Sequence, residues 1–265
     1  MELEGRVAFV TGAGSGIGRA VCHRLHELGA SVAAVDIKAA VAMETAEALG
    51  SRAIALEADV TDEGSVSRAV SAAADQFGRL DIAVNAAGVG VSLRLIDQSV
   101  ADIDRVLRTN LTGVMICCKY QAREMIALAN GGVIVNIVST NAVQPGEGLS
   151  AYCASKAGVA MVTKVGAMEL AADNIRVVGV GPGLTQTPMV DRFLSNASVK
   201  AEFLDNIPAG RPAWPQDIAN VVGFLATDAA AYITGETIYV DGGALTGKYP
   251  SLAARSPSSP VEAGA

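Results

Sequence analysis

The chain has 265 residues, of which 51% are hydrophobic, and its net charge is −7. This length and apolar content predict one large domain with a substantial core, which we place at residues 1–248. An acidic chain without a run of Lys and Arg does not fit a protein that binds nucleic acid or docks on an anionic membrane.

The amino terminus, the cysteines and the histidines indicate the expected compartment and whether a metal site is expected. Residues 1–6 contain two acids and no apolar stretch, unlike a signal peptide. No apolar run approaches the roughly 20 residues that span a membrane, so we expect a soluble, cytoplasmic protein. The four cysteines form no C-x-x-C pair, and His23 and His26 have no third ligand nearby. We therefore expect free thiols and no metal site.

Apolar runs and helical spacing alternate along the chain. They predict strands at about 6–11, 31–36, 52–57, 80–85, 132–138, 174–180 and 236–240. They predict helices at about 16–28, 39–49, 62–77, 100–128, 150–172 and 215–226. Seven apolar strands that alternate with helices indicate an α/β fold, a Rossmann-type doubly wound, seven-stranded parallel sheet with helices on both faces.

Two stretches fall outside this alternation. The segment 181–213 is proline-rich and long for a connection within a compact domain. Such loops are usually lids or binding segments, so we assign residues 185–213 to a substrate lid. Residues 249–265 are rich in Ser, Ala and Pro, a composition typical of a disordered tail.

A glycine-rich segment, Thr11-Gly-Ala-Gly-Ser-Gly-Ile-Gly18, joins the first predicted strand to the first helix. Glycines let the chain turn tightly and bring backbone N–H groups close to a pyrophosphate, and the helix N-terminus adds favourable partial charge. At a strand–helix junction this pattern predicts a dinucleotide site. The residues that we assign to this part of the site are Gly12, Ser15, Gly16, Ile17 and Gly18.

Asp36 ends the second predicted strand, 18 residues after Gly18. A carboxylate there accepts hydrogen bonds from ribose hydroxyls and repels a 2′-phosphate, so NAD is predicted in preference to NADP. Lys38 is a nearby cation that could weaken this repulsion. The alternative role for Asp36 is an N-terminal cap of the helix at 39–49. We assign Ile37 to the cofactor site together with Asp36.

Two further segments follow predicted strands at their carboxyl ends, where ligands bind in such sheets. Asp59-Val60 follows the third strand, and Asn85-Ala86-Ala87-Gly88 follows the fourth. Taken alone, Asp59 is typical of a helix cap, and the Asn85 segment is typical of a turn. The cofactor-binding residues that we assign here are Asp59, Val60, Asn85, Ala86 and Gly88.

Together with Asn110, Ser139, Tyr152-x-x-x-Lys156 and Pro182-Gly183, these motifs resemble the short-chain dehydrogenase/reductase superfamily in its ordinary single-domain form. They occur in order over about nine-tenths of the chain. The resemblance implies hydride exchange between a nicotinamide cofactor and an alcohol/carbonyl pair. It also implies a homotetramer, with the helices near 100–128 and 150–172 in one interface.

The resemblance implies a role for each catalytic residue. Tyr152 would be the acid/base, and Ser139 would hold the substrate oxygen. Lys156 would bind the nicotinamide ribose and lower the pKa of the tyrosine. Asn110 would anchor a water that links Lys156 to solvent. Asp59-Val60 would flank the adenine.

The resemblance also implies that the segment from Pro182 to Thr187 binds the nicotinamide carboxamide and its phosphate. The residues assigned there are Pro182, Gly183, Thr185 and Thr187. Thr185 departs from the branched aliphatic residue that is common in the family. Basic residues that dock an acyl carrier protein are also replaced, by Asn130, Met168 and Asp173, which counts against a carrier-protein substrate.

The spacing of Tyr152 and Lys156 explains how a tyrosine could act near neutral pH. Residues four apart on a helix share a face. An ammonium about 4 Å from a phenolate is worth roughly 4 kcal/mol at an effective dielectric of 20. At 1.36 kcal/mol per pKa unit, this lowers the tyrosine pKa by up to about 3 units. A proton carrier is thus available without histidine.

The candidate substrate wall is mostly apolar and contains no arginine clamp. It comprises Val89, Val91, Leu93, Asn141, Val143, Gln144, Leu149, Leu184, Met189 and Phe193. The residues that we assign to substrate binding are Ser139, Asn141, Gln144, Tyr152 and Met189. This composition predicts a neutral, small or medium-sized secondary alcohol or ketone.

Three alternatives remain open at this point. A polyol or sugar dehydrogenase could use Asn141, Gln144 and Glu147 to bind hydroxyls. A 3-oxoacyl-type reductase belongs to the same family. A non-catalytic NAD-binding scaffold would typically have lost the tyrosine or the lysine, whereas this chain keeps both.

Overall fold

The computed structural model describes residues 2–247, without the side chains of residues 192 and 193. The tail assigned to 249–265 therefore lies outside the described residues. Seven strands form one sheet: β1 (Val7–Thr11), β2 (Ser31–Asp36), β3 (Ala53–Glu57), β4 (Ile82–Asn85), β5 (Gly132–Ile137), β6 (Ile175–Pro182) and β7 (Thr237–Val240). The spatial order is β3-β2-β1-β4-β5-β6-β7, and all neighbours are parallel. The predicted Rossmann-type α/β fold is confirmed.

The described part of the chain contains nine α-helices. They are α1 (Gly16–Glu27), α2 (Ala39–Leu49), α3 (Glu63–Phe77), α4 (Val100–Leu107), α5 (Gly113–Ala127), α6 (Ser150–Leu170), α7 (Asp191–Leu194), α8 (Ala197–Asp205) and α9 (Pro215–Ala226). In the order of strands, β1 lies between β2 and β4, so the chain reverses its direction of travel across the sheet at β1. This reversal opens a crevice at the carboxyl ends of the strands.

The core has two layers, one on each face of the sheet. Successive residues of a strand point to opposite faces, so Val10 packs with α1, α2 and α9 while Phe9 packs with α3 and α5. Both layers bury their apolar side chains. This explains why the strands are continuous apolar runs rather than alternating ones.

The helix predicted at 100–128 is interrupted. A π-helical segment, Arg108–Thr112, separates α4 from α5, and the N–H of Gly113 bonds to the carbonyl of Arg108. Single-turn π segments inside helices are frequent at functional sites. Asn110 lies within this one. Helical periodicity did not reveal the interruption, because hydrophobic spacing continues through it.

The segment assigned to a substrate lid, 185–213, contains α7 and α8. Its two ends meet: Ala213 N–H donates to the carbonyl of Leu184 at 2.8 Å, and Gln186 N–H donates to the carbonyl of Ala213 at 2.9 Å. The segment is thus tied at its base to the end of β6. Across the described residues, no helix is both long enough and apolar enough to cross a membrane.

Candidate active site

A cleft of about 350 Å³ lies at the carboxyl ends of the strands. Loops that follow β1 to β6 all contribute to its lining. The glycine-rich segment and Asp36 lie toward one end, where β1 and β2 terminate. Ser139, Tyr152 and Lys156 come from the end of β5 and from α6. The fold therefore gathers motifs that are more than a hundred residues apart in the sequence.

Glycines in the loop after β1 are required by close backbone approach. Gly12 has φ +65°, and a Cβ there would lie 2.9 Å from the backbone of Ala87. A Cβ on Gly18 would lie 2.1 Å from the carbonyl oxygen of Gly12. The absence of a side chain at Gly18 thus lets the first turn of α1 pack against the loop. Gly12 and Gly16 line the cleft, whereas Gly18 does not.

The N-terminus of α1 remains available for an anion. Its N-cap residue, Ser15, makes no side-chain capping bond, and no acidic residue lies in the first turn. The first N–H groups of a helix lack intrahelical partners and carry positive partial charge. Ser15, Gly16 and Ile17 line the cleft at this point. The site therefore fits the pyrophosphate of a dinucleotide.

The carboxylate of Asp36 holds two backbone N–H groups. Gly14 donates to Oδ2 at 3.0 Å and Lys38 donates to Oδ1 at 3.1 Å. The alternative role as a helix cap is wrong, because Lys38 occupies the N-cap position of α2 and no side chain caps that helix. Asp36 and the 59%-exposed Ile37 both line the cleft. Arg19, a guanidinium at this corner, bonds to the Gly14 carbonyl and pairs with Glu44.

Asp59 and Val60 lie after β3 and line the cleft. The Asp59 carboxylate accepts a 2.8 Å bond from the N–H of Thr61. The cap of α3 is instead Asp62, whose side chain accepts from the N–H of Ser65. The helix-cap alternative for Asp59 is therefore wrong, and its carboxylate lies at the cleft wall.

The loop after β4 is held against β1 by a threonine hydroxyl. Thr11 Oγ1 accepts from the N–H groups of Ala86 at 3.1 Å and Ala87 at 3.3 Å. Ala86 and Gly88 line the cleft. Asn85 does not line the cleft, and its assignment to the cofactor site stays a prediction. That side chain is buried in the interior, where it bonds to Gln121 and Asn136.

Lys156 is a buried lysine at the floor of the cleft. Its Nζ donates a 2.7 Å hydrogen bond to the carbonyl of Ile137, at the end of β5. Burial lowers the pKa of Lys156 to about 8, because desolvation disfavours the charged amine. The ammonium lies 5.8 Å from the centroid of the Tyr152 ring, close enough for a cation–π contact.

Burial raises the pKa of Tyr152 above its usual value, while a hydrogen bond with Ser139 opposes the rise. The net direction is therefore upward, and the lowering of this pKa by Lys156 stays a prediction. Desolvation of the phenolate outweighs the favourable contacts of the ring. Tyr152 is consequently protonated at neutral pH.

Asn110 is completely buried beside these residues, although it does not line the cleft. Its amide grips the loop after β4: Oδ1 accepts from Val89 N–H at 2.8 Å, and Nδ2 donates to the Val89 carbonyl at 2.9 Å. Nδ2 also donates to Ser155 Oγ at 3.2 Å. A Cβ on Gly88 would lie 3.3 Å from Asn110 Oδ1 and 4.0 Å from Lys156 Nζ. The π segment thus joins the β4 loop to α6 next to the lysine.

Comparison with known proteins agrees with this arrangement. A family model described as enoyl-(acyl carrier protein) reductase matches residues 12–245. The cis-4-hydroxycyclohexanecarboxylate dehydrogenase of Sinomonas cyclohexanicum is 43% identical over 242 residues, which cover 90% of this chain and 96% of that protein. The D-threitol dehydrogenase of Mycolicibacterium smegmatis is 40% identical, and the match covers 91% of this chain and 94% of that protein. The chain belongs to the short-chain dehydrogenase/reductase superfamily.

A solved structure supports the same conclusion. The 3-ketoacyl-(acyl-carrier-protein) reductase of Brucella melitensis, complexed with NADH, superposes with a TM-score of 0.86 at 37% identity. The match covers 91% of this chain and 99% of that one. This short-chain dehydrogenase/reductase is therefore an oxidoreductase that acts on CH–OH groups and binds a nicotinamide cofactor.

The segment after β6 forms the opposite wall of the cleft in this short-chain dehydrogenase/reductase. Pro182, Gly183, Thr185 and Thr187 all line it. A Cβ on Gly16 would lie 3.1 Å from Thr187 Cγ2, so Thr187 packs directly against the glycine-rich segment (the glycine loop, residues 11–18). Thr185 is buried and bonds through its hydroxyl to the Gly183 carbonyl at 3.0 Å. Its polar side chain is thus accommodated where the family often has an aliphatic one.

Only some of the predicted substrate residues line the cleft. Ser139, Tyr152 and Met189 line the cleft, whereas Asn141 and Gln144 do not. The Asn141 amide donates to the Gln144 carbonyl at 3.0 Å, and its backbone N–H donates to Ser139 Oγ at 3.1 Å. Asn141 therefore shapes the turn that carries Ser139.

Several lining residues were not assigned to the cofactor site from the sequence. Apart from Thr109, which lies in the π segment, they are apolar or small residues at strand ends and at the start of the segment 185–213. These residues are Thr11, Val35, Ala58, Ala87, Thr109, Ile137, Val138, Pro188 and Val190.

Proposed function

We propose that this protein is an NAD-dependent oxidoreductase that interconverts a secondary alcohol and a ketone, with Tyr152 as the acid/base. The substrate is small or medium-sized and mostly neutral and apolar. One observation carries the proposal. A single cleft holds the glycine loop and Asp36 together with Ser139, Tyr152 and Lys156.

The close backbone approach in the glycine loop and the uncapped N-terminus of α1 support the binding of a pyrophosphate. Asp36 faces the same cleft with a carboxylate that two backbone N–H groups hold in place. Its charge favours ribose hydroxyls and opposes a 2′-phosphate, and Arg19 is engaged by Glu44 and Gly14. NAD is therefore favoured over NADP. When bound, the nicotinamide supplies or accepts the hydride.

The protein's own residues would handle the proton. Tyr152 has a raised pKa, so the phenol carries a proton at neutral pH that it can donate to a carbonyl oxygen. Ser139 bonds to the tyrosine and is placed to hold the same substrate oxygen. Lys156, with a pKa of about 8, is mostly an ammonium at neutral pH and stabilises the phenolate that remains. Asn110 would fix the backbone around this group.

The lining near Tyr152 favours an apolar substrate. Val89, Val138 and Met189 line the cleft together with Tyr152, and no arginine side chain lines it among the described residues. A polyol or sugar substrate would need polar side chains at this end. Asn141 and Gln144, the candidates for that role, lie outside the lining.

The two relatives mark the range of alternatives. One is named for a hydroxycyclohexanecarboxylate and the other for threitol, so the family position alone leaves a polyol open. A 3-oxoacyl-type reductase is the second alternative, since the superposed structure is such an enzyme. Asn130, at a position where carrier-dependent enzymes have a basic residue, is engaged internally with the Leu80 carbonyl. This supports a free small molecule over an acyl carrier.

A homotetramer is part of the proposal. Large apolar side chains are exposed along one line of α6, where Met161 is 60%, Val165 is 44% and Met168 is 82% exposed. Met115 on α5 is 51% exposed. Side chains spaced by three or four residues share a helix face, so α6 presents an apolar stripe that another copy could cover.

The decisive experiment is a substrate panel with both cofactors. Purified protein is mixed with NAD or NADP and with neutral alcohols and ketones, polyols, and carboxylated or phosphorylated analogues, and nicotinamide absorbance is followed. We expect turnover of neutral secondary alcohols with NAD. Turnover of only charged or polyol substrates would refute the substrate class. Cofactor binding without any turnover by folded protein would favour a non-catalytic scaffold.

A further inference from the structure

A chain of buried polar side chains crosses the interior beneath the cleft. Its members are Asn85 on β4, Gln121 on α5, Asn136 on β5 and Thr163 on α6, and none is more than 2% exposed. Amides and hydroxyls removed from water are costly unless they are hydrogen-bonded. Four such groups in one core therefore require an explanation beyond packing.

The hydrogen bonds form a continuous series. Asn85 and Gln121 exchange two amide bonds of 2.8 and 3.1 Å. Asn85 Nδ2 also donates to Asn136 Oδ1 at 2.9 Å. Asn136 Nδ2 donates to Thr163 Oγ1 at 3.0 Å, and that hydroxyl donates to the Val159 carbonyl at 2.9 Å. Because each of these donors has an acceptor, the series defines one arrangement of strands β4 and β5 with helices α5 and α6.

This series ends next to the catalytic lysine. Thr163 lies seven residues after Lys156, which is two turns of α6, so both face the same strand. Asn136 directly precedes Ile137 in β5, and the Ile137 carbonyl accepts the Lys156 bond. Helix α6 is therefore attached to β5 at two points, one through Thr163 and one through the ammonium itself.

The two attachments are unequal. No carboxylate pairs with Lys156 among the ion pairs of the described residues, and burial makes its charge unfavourable. Movement toward water would lower the free energy of the charged ammonium. The Asn136–Thr163 bond is neutral and completely buried, so it can hold the helix at the distance that the short Lys156–Ile137 bond requires.

We propose that Thr163 and Asn136 are positioning residues that set the location of the Lys156 ammonium relative to Tyr152. This rests on the proposed function, in which Lys156 stabilises the phenolate. Neither residue touches the cleft. Misplacement of a catalytic group by about 1 Å costs up to a hundredfold in rate, so a loss of this bond should be visible in turnover.

The test compares Thr163→Val, which removes the hydroxyl at constant size, with Thr163→Ser, which keeps it. We expect Thr163→Val to lower kcat about tenfold while KM for NAD changes less than about twofold, since the glycine loop is untouched. Thr163→Ser, which keeps the hydroxyl, should have a kcat close to that of the wild type. A matched control is Thr227→Val, because Thr227 is another buried threonine, bonded to the Phe224 carbonyl away from the cleft.

A second readout does not depend on turnover. NMR titration of the Lys156 ε-carbon, assigned by its absence in Lys156→Met, should give a pKa of about 8 in the wild type. In Thr163→Val it should rise toward the usual lysine value, because a looser contact admits water. Thr163→Ala serves in place of Thr163→Val if the latter does not fold at the assay temperature.

The outcomes separate the two proposals. A Thr163→Val protein that melts at a lower temperature but keeps the wild-type kcat and lysine titration would overturn the positioning role. If the wild type turns over no substrate, the proposed function fails, and the titration still decides whether Thr163 positions Lys156.

Discussion

The N–H of Gly14 donates a hydrogen bond of 3.0 Å to Oδ2 of Asp36. The residue that is expected to select the ribose therefore also holds the glycine loop. A Cβ on Gly14 would lie 2.9 Å from the same oxygen, so the contact leaves no space for a side chain. If Asp36 selects the cofactor as proposed, one carboxylate both makes this selection and shapes the phosphate site.

Asp36→Ala should weaken the binding of NAD and reduce the discrimination against NADP. It removes the negative charge and also frees the glycine loop, so we expect kcat/KM for NAD to fall at least about tenfold. Asp36→Asn is the matched variant, because its amide oxygen can still accept from Gly14 without the charge. Steady-state constants with both cofactors measure the effect. An unchanged NAD/NADP ratio in both variants would mean that Asp36 does not select the cofactor.

Tyr152→Phe should abolish turnover, by about a thousandfold or more, while the cofactor still binds, because only the proton-carrying hydroxyl is removed. Turnover with the best substrate and a fluorescence titration with NADH measure the two properties. The control is Tyr120→Phe, since the Tyr120 hydroxyl bonds to Glu63 at an exposed site. Retained activity in Tyr152→Phe would eliminate the tyrosine mechanism.

Stability should rise with pH above about 8 because of Lys156. Its folded pKa of about 8 lies below the unfolded value near 10.4, so between these values the unfolded chain holds a proton that the folded chain has lost. Unfolding then becomes less favourable as pH increases through this window, by up to about 3 kcal/mol. Urea unfolding of the wild type and Lys156→Met from pH 7 to pH 10 isolates this effect. A constant difference between the two proteins would contradict it.

Ketone reduction should have a related pH dependence. Donation of the Tyr152 proton leaves a phenolate, and the Lys156 charge that stabilises it is lost above about pH 8. The reduction rate should therefore be level below that pH and decline above it. Initial rates over a pH series, with saturating cofactor, check this. A reduction rate that increases through pH 9 would be inconsistent with the assigned roles.

Gly12→Ala should nearly eliminate cofactor binding. The new Cβ would meet the backbone of Ala87 at 2.9 Å, at a φ of +65°, and would push the β1 and β4 loops apart. Gly78→Ala is a matched control, because Gly78 has φ +76° but a Cβ there would meet nothing within 4 Å. Gly78→Ala carries only the cost of placing an L-residue in the left-handed region, about 1–2 kcal/mol. Calorimetric NAD titration of both variants, with their melting temperatures, separates the clash from the backbone strain. Equal NAD affinity in the two would refute the close-approach argument.

Local pattern was sufficient for much of this protein. Continuous apolar strands and 3.6-residue periodicity predicted the seven strands and the parallel sheet, since burial on both faces leaves its mark on every strand residue. The glycine-rich segment and Asp36 line one cleft, and their order, strand then turn then helix, defines where the backbone N–H groups point. Their role in binding the cofactor stays a prediction. Tyr152 and Lys156 share a helix face for the same local reason.

Tertiary structure decided what depends on contacts between distant segments. Asn85 is the last residue of a strand, yet its amide lies in the core, where it bonds to Gln121 and Asn136. The π segment carries Asn110, whose side chain bonds to both the N–H and the carbonyl of Val89, a residue 21 positions away. The rise in the pKa of Tyr152 likewise follows from its burial, which spacing along the sequence does not reveal. Sequence spacing determines which groups can meet along one helix or strand, but desolvation and hydrogen-bond partners are properties of the assembled interior.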